Sequence, residues 1–222
     1  MQNSAIIHKG GYFMSIYDIQ IKSADSEENF LDQFKGKVSL IVNVTGDCGN
    51  APQYGIIETI YRKYKDQGFE VIAVPTNDFC GAGLTYGDHV YGTGTAADAR
   101  EFAEKTFNVT YKFSELVESN PAKGDLIPGL PSKYGQVTPH EIFKTLGDEA
   151  YKNRMSGNVM GGNFEKYLIG RDGKLIKHYP NSTLLDYNYN RRLEGLSEDT
   201  AAIPGEDAYR IICDDIEAAL AA

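Results

Sequence analysis

Seven consecutive residues, Val38 to Val44 (VSLIVNV), form a nearly unbroken apolar and β-branched run, and no other feature constrains the chain more. Side chains of a strand alternate between its two faces, so a run without alternation suits a strand covered on both, as in a sheet between layers of helices. Gly46 to Ala51 then reads as a turn, and Pro52 suits the first position of a helix, where its missing N–H costs nothing. Ile56, Ile60 and Tyr64 recur at i, i+4 and i+8, Ile57 and Tyr61 widen the stripe, and Gly68 is placed to end the helix. Phe69 to Val74 is a second buried strand, stopped by Pro75. Strand, helix and strand in succession imply a right-handed crossover and a parallel pair.

The rest of the chain is read by the same signals. SIYDIQIKSADSEENF, from Ser15, reads as a short strand and turn with Ile16, Ile19 and Ile21 apolar. Residues 77–95 carry five glycines within CGAGLTYGDHVYGTG and read as a long surface loop. A helix follows to Phe107 with Thr95 as N-cap, HEIFKTLGDEAY is a short amphipathic helix, and KYLIGRDGKLIKHY is a hairpin around Arg171-Asp172-Gly173. EDAYRIICDDIEAALAA closes the chain as a helix with Tyr209, Ile212, Cys213, Ile216 and Leu220 on one face. A length of 222 residues fits one domain over 15–222, after an extension at 1–14 and with irregular insertions near 119–139 and 181–205.

Composition narrows the function. A formal net charge of -9 disfavours nucleic acid and anionic membranes, both of which need a basic face. No stretch approaches the roughly 20 apolar residues of a membrane span, and the first residues lack a secretory apolar core, so a cytoplasmic protein is expected. The histidines, His8, His89, His140 and His178, are too scattered for a metal motif, and GTGTAADAR lacks the lysine of a phosphate loop, so neither metal nor cofactor is expected. Cys48, Cys80 and Cys213 are too few and too far apart for a disulfide framework or a zinc ribbon. Cys213 is expected in the core.

That leaves Cys48 as the candidate nucleophile. It lies between a buried strand and a helix opened by proline, where free N–H groups and the positive end of the helix dipole favour the thiolate. A random cysteine is more often a small buried residue; the strand-turn-helix setting points to the reactive reading.

Several blocks in order, FKGKVSLIVNV, CGNAPQY around Cys48, GFEVIAVPTNDF, TPHEIFKTL and GGNFEKYLIGRDGKLIKHYPNST, resemble the glutathione peroxidase family. The resemblance runs from about Ser15 to Thr183. It implies an α/β, thioredoxin-like fold with a central mixed sheet flanked by helices. It also implies a peroxidase in which Cys48 attacks the terminal oxygen of a hydroperoxide and becomes a sulfenic acid. Asn163 matches the family's active-site asparagine, a hydrogen-bond donor. Gly162 stands where the family has tryptophan, of which this sequence has none, and Ala82 where it has glutamine. Losing even one oxyanion-type donor can cost on the order of 10²-fold in rate.

Two readings follow. In one, the protein reduces hydrogen peroxide or organic hydroperoxides in oxidative-stress defence, Cys80 resolves the sulfenic acid at Cys48 as a disulfide, and a thioredoxin-type protein rather than glutathione regenerates the thiols. In the other, a repurposed or noncatalytic relative binds a small molecule or partner through its insertions, where DYNYNRR (186–192) with Arg191 and Arg192 stands out. A different reaction at Cys48, such as addition to an electrophile, is the third possibility.

Overall fold

The computed structural model describes residues 15–78, 84–86, 89–91, 94–119, 139–153, 162–181, 183–184 and 204–222, with backbone alone at 84–86, 89–91, 151–152 and 204–207. Five strands form the main sheet: β1 (Val38–Val44), β2 (Phe69–Pro75), β5 (Lys112–Phe113), β6 (Lys166–Ile169) and β7 (Leu175–Tyr179), in the order β5-β2-β1-β6-β7. β1 runs parallel to β2, and β2 to β5, while β6 is antiparallel to both β1 and β7. The mixed sheet expected from the sequence is therefore the one adopted.

Why β1 is apolar throughout is visible in the packing. Val38, Leu40, Val42 and Val44 face a cluster completed by Tyr54, Ile57, Ile60 and Tyr64 of α1 (Gln53–Tyr64), Ala103 of α2 (Ala96–Phe107), and Ile212 and Ile216 of α4 (Pro204–Ala221). Ile41 faces the opposite layer, where Ile142, Phe143 and Leu146 of α3 (Glu141–Lys152) pack with Ile16, Phe30 and Phe34 from the N-terminal segment. Both faces of the strand are buried, as its composition requires. Cys213 is buried in the first cluster, matching its apolar helix face.

Three local expectations are corrected. SIYDIQIK is not a strand: Ile16–Asp18 is a short 3-10 helix, with the Ser15 hydroxyl accepting from the Tyr17 amide at 3.2 Å. The Tyr17 hydroxyl fixes this turn by donating to the Lys37 carbonyl at 2.7 Å, and Ile16, Ile19 and Ile21 are buried without strand pairing. Residues 77–95 are not all loop: β3 (Leu84–Tyr86) and β4 (His89–Tyr91) pair antiparallel, separated in sequence by Gly87-Asp88, a dipeptide suited to a two-residue turn. Pro52 precedes α1 as its N-cap rather than opening it.

Other boundaries follow the sequence signals. Thr95 caps α2, its hydroxyl accepting from the Asp98 amide at 3.1 Å. α1 ends in a 3-10 turn at Lys65–Gln67 closed by Gly68, which adopts φ +89°, a conformation that glycine enters without strain. Among the described residues, no helix is long and apolar enough to cross a membrane.

Candidate active site

At the carboxyl end of β1 the chain turns through residues 45–52 into α1, and Cys48 lies in this turn, 9% exposed. Its carbonyl accepts from the Ala51 amide at 2.9 Å, and the Asn50 and Ala51 carbonyls accept from the Gln53 and Tyr54 amides at 3.1 and 3.0 Å. Cys48 thus precedes the first residue of α1 by a little over one turn. The turn also rests on Tyr54, whose fully buried hydroxyl donates to the Thr45 carbonyl at 2.6 Å. Burial drives that hydroxyl's pKa well above the ordinary tyrosine value, and charge on Cys48 adds to the effect.

A second segment is brought against this turn from residues distant in sequence. The side chain of Asn43, inside β1, donates from Nδ2 to the Gly162 carbonyl at 3.1 Å and accepts at Oδ1 from the Glu165 amide at 2.7 Å. Its carbonyl accepts from the Phe164 amide at 2.7 Å. This clamp holds Phe164 at φ 68°, left-handed backbone unusual for so bulky a residue. The Phe164 ring is thereby set edge-on to Tyr54, centroids 4.9 Å apart. Asn50 Nδ2 donates to the Asn163 carbonyl at 3.1 Å, joining the turn after Cys48 to the segment carrying Asn163.

A third segment arrives after β7. Gln53, fully buried, donates from Nε2 to the Asn181 carbonyl at 2.7 Å and to Asn50 Oδ1 at 3.3 Å, and accepts from the Leu184 amide at 3.3 Å. Lys166 is also fully buried: its ammonium donates to the carbonyls of Phe164, Pro180 and Asn181 at 2.6, 3.3 and 3.2 Å. Burial lowers its pKa to about 7, against the opposing pull of Glu165. Next to it, Glu165 Oε2 and His178 Nε2 are 2.6 Å apart and buried, with the His178 ring stacked on Tyr167 at 4.6 Å.

Asn163 therefore lies in the segment bound to the Cys48 turn, itself 3% exposed. Cys80 and Ala82 lie outside the described residues, as do DYNYNRR and most of both insertions. Sequence reasoning passed over Asn43, Asn50, Gln53, Lys166 and Asn181. Polar residues inside an apolar strand and in the first turn of a helix, Asn43 and Gln53, were the available signal, since a buried amide is retained only with partners. A Cβ on Gly162 would meet the far end of the Asn181 side chain, Nδ2 first and Cγ at 3.2 Å, so a larger residue there would have to turn that side chain aside.

Comparison with known proteins agrees with this architecture. A family profile described as glutathione peroxidase matches residues 16–127. Over 169 residues the chain is 30% identical to glutathione peroxidase-like peroxiredoxin 2 of Saccharomyces cerevisiae, covering 76% of this chain and 89% of the relative. Over 172 residues it is 30% identical to the thioredoxin/glutathione peroxidase BtuE of Escherichia coli, covering 74% and 87%. Among solved structures, Trgpx in its apo form superposes with a TM-score of 0.56 at 24% identity, covering 94% of this chain and 97% of the other, which shows the shared thioredoxin-like fold. A β1 strand, turn and helix in the order that the resemblance implies, and relatives matched over most of their length, lead to one conclusion: the chain belongs to the glutathione peroxidase family.

Proposed function

We propose that the protein is a thiol-dependent peroxidase in which Cys48 reduces hydrogen peroxide or an organic hydroperoxide. The observation that carries this reading is the placement of Cys48: at the carboxyl end of β1, in a turn to which the 162–165 segment and, through Gln53, the 180–184 segment are both hydrogen-bonded. Membership of the glutathione peroxidase family supports it. The Cys48 thiolate attacks the terminal oxygen of the hydroperoxide; the S–O bond forms as the O–O bond breaks, and the far oxygen leaves as alcohol, or as water from hydrogen peroxide. Cys48 is left as a sulfenic acid. Asn163, carried on the segment bound to this turn, serves as a hydrogen-bond donor at the site.

In the second half-reaction Cys80 attacks the sulfenic sulfur, giving a Cys48–Cys80 disulfide and water. A disulfide calls for a dithiol reductant, so a thioredoxin-type protein fits better than glutathione. The name of one relative, thioredoxin/glutathione peroxidase, supports including both classes in the test.

The test is intact-protein mass spectrometry of the reduced chain before and after one equivalent of hydrogen peroxide, on wild type, Cys48→Ser and Cys80→Ser. Loss of two hydrogens in wild type, a trappable sulfenic acid in Cys80→Ser and no reaction in Cys48→Ser is the expected result. A wild-type Cys48 that stays reduced over seconds would overturn the peroxidase reading and favour a different reaction or a binding role. A sulfenic acid in wild type with no disulfide would remove Cys80 from the cycle and leave glutathione as the better reductant.

A further inference from the structure

Where β1 and β2 end, two threonine side chains are left over. Val44 faces Pro75 in the parallel ladder and its carbonyl accepts from the Thr76 amide at 2.7 Å, so Thr45 and Thr76 are the next pair in register. Facing residues of neighbouring strands send their side chains to the same side of the sheet. By alternation from Ile41 and Val74, that side is the α3 layer. Both threonines are 0% exposed, and neither hydroxyl has a hydrogen-bond partner.

A buried hydroxyl without a partner has given up the hydration it had in the unfolded chain and received nothing for it. In folded proteins such groups are met by the chain or by ordered water. Asn43, two residues before Thr45, does not meet them, because its side chain is turned to Gly162 and Glu165. Neighbouring strands lie about 4.8 Å apart, and the two hydroxyls are not bonded to each other. Two hydrogen bonds of about 2.8 Å meeting at one oxygen span up to roughly 5.5 Å, which suits hydroxyls on facing residues. The chemistry narrows the occupant further. Two neutral hydroxyls offer an ion no opposite charge, and no cluster of acidic, histidine or cysteine side chains among the described residues could hold a metal. A small neutral molecule that both donates and accepts is what the pair can take.

We propose that the Thr45 and Thr76 hydroxyls bind one buried water molecule between them, and that this water ties the end of β2 to the root of the Cys48 turn. Thr45 is the residue from which that turn departs, and its carbonyl accepts from the Tyr54 hydroxyl at 2.6 Å. Tyr54 thus holds the root from the α1 layer, and the water holds it from the α3 layer through Thr76. The stiff χ1 of a β-branched side chain limits how far either hydroxyl can turn away. The site stands whether or not Cys48 reacts with peroxides.

The first test is a crystal structure of the full wild-type chain at a resolution that shows ordered water. One water within about 3.2 Å of both Oγ1 atoms is expected; a dry site, or either hydroxyl bonded to another group of the chain, would overturn the proposal. Urea unfolding of Thr45→Val, Thr76→Val and the double variant gives an independent readout. Each single variant removes one anchor of the water and strands the other hydroxyl, so its midpoint should fall by on the order of 0.5 M. The double variant leaves no hydroxyl unmet and should regain at least part of that loss. Single variants at or above the wild-type midpoint would show that the hydroxyls are dry, and a double variant that loses the sum would show that each has a separate partner; either result overturns the shared water. If a variant does not fold, judged by circular dichroism, the wild-type structure decides alone.

Discussion

Gln53 Nε2 donates to the Asn181 carbonyl at 2.7 Å, tying the first turn of α1 to the loop that follows β7. The same buried amide accepts from the Leu184 amide at 3.3 Å, so one side chain holds both sides of the 181–184 turn. Lys166 reaches the Asn181 carbonyl from β6. Helix, strand and loop thus converge on one carbonyl beside the Cys48 turn, and the rim of the site is as rigid as these bonds make it.

Replacing Gln53 by leucine keeps the volume and removes every polar partner, leaving the Leu184 N–H and part of the Asn181 carbonyl buried and unmet. An unsatisfied buried group costs about 1–3 kcal/mol, so Gln53→Leu should lower stability by that order in urea unfolding. Amide exchange at Leu184 should accelerate in the variant. Unchanged exchange at Leu184 would show that other contacts hold this loop.

Asn43 is predicted to matter more. Its side chain bonds both Gly162 and Glu165, and those bonds keep Phe164 in its left-handed conformation. Asn43→Ala should cost about 2–4 kcal/mol, combining two lost buried bonds with release of the held backbone. Because the 162–165 segment is bonded through Asn50 to the turn that carries Cys48, the peroxide reaction should slow as well, which thermal denaturation and Cys48 oxidation rates measured on the same sample would check.

The contrast between β1 and the site explains what could be read in advance. Val38 to Val44 announced a doubly covered strand because a continuous apolar run has few other stable settings, and Thr95 and Gly68 marked helix ends through local chemistry that each residue carries on its own. Asn43 and Gln53 showed only as polar residues in apolar surroundings and Asn181 not at all, since what defines them is partners lying 119, 128 and 15 positions away in the chain. SIYDIQIK misled for a related reason: β-branched isoleucines, two of them at alternate positions 19 and 21, suggest a strand, but the Ser15 cap and the Tyr17 hydroxyl bound to Lys37 select a turn that buries the same residues. Gly162 was legible as a departure from the family's tryptophan, and the structure adds that a larger residue there would displace the end of the Asn181 side chain.

Tyr54 separates packing from hydrogen bonding at the base of the turn. Its ring touches Phe107, Phe113 and Phe164, and its hydroxyl meets the Thr45 carbonyl. Tyr54→Phe removes only the hydroxyl and should cost about 1–2 kcal/mol, whereas Tyr54→Ala opens a cavity worth about 3–5 kcal/mol. Chemical denaturation of the two variants checks the order; equal losses would mean that the hydroxyl, not the ring, anchors the turn.

Lys166 gives the fold a pH dependence whose direction can be worked out. Burial lowers its pKa from 10.5 to about 7 in the folded chain. Between those values the unfolded chain holds the extra proton, so stability rises with pH and is lost as pH falls toward 7. Tyr17 acts oppositely at higher pH: its hydroxyl, raised by burial to about 12, stabilises the fold below pH 10 and that contribution is lost above it. The clean window is therefore pH 7 to 9. Within it, the urea midpoint of the wild type should climb, corresponding to a slope of about 1 kcal/mol per pH unit. Lys166→Met has no proton to lose and should lack this climb, even though it leaves the Phe164, Pro180 and Asn181 carbonyls without their donor and alters the absolute stability. Parallel pH profiles for wild type and Lys166→Met would mean that the three carbonyls hold the lysine charged throughout the window.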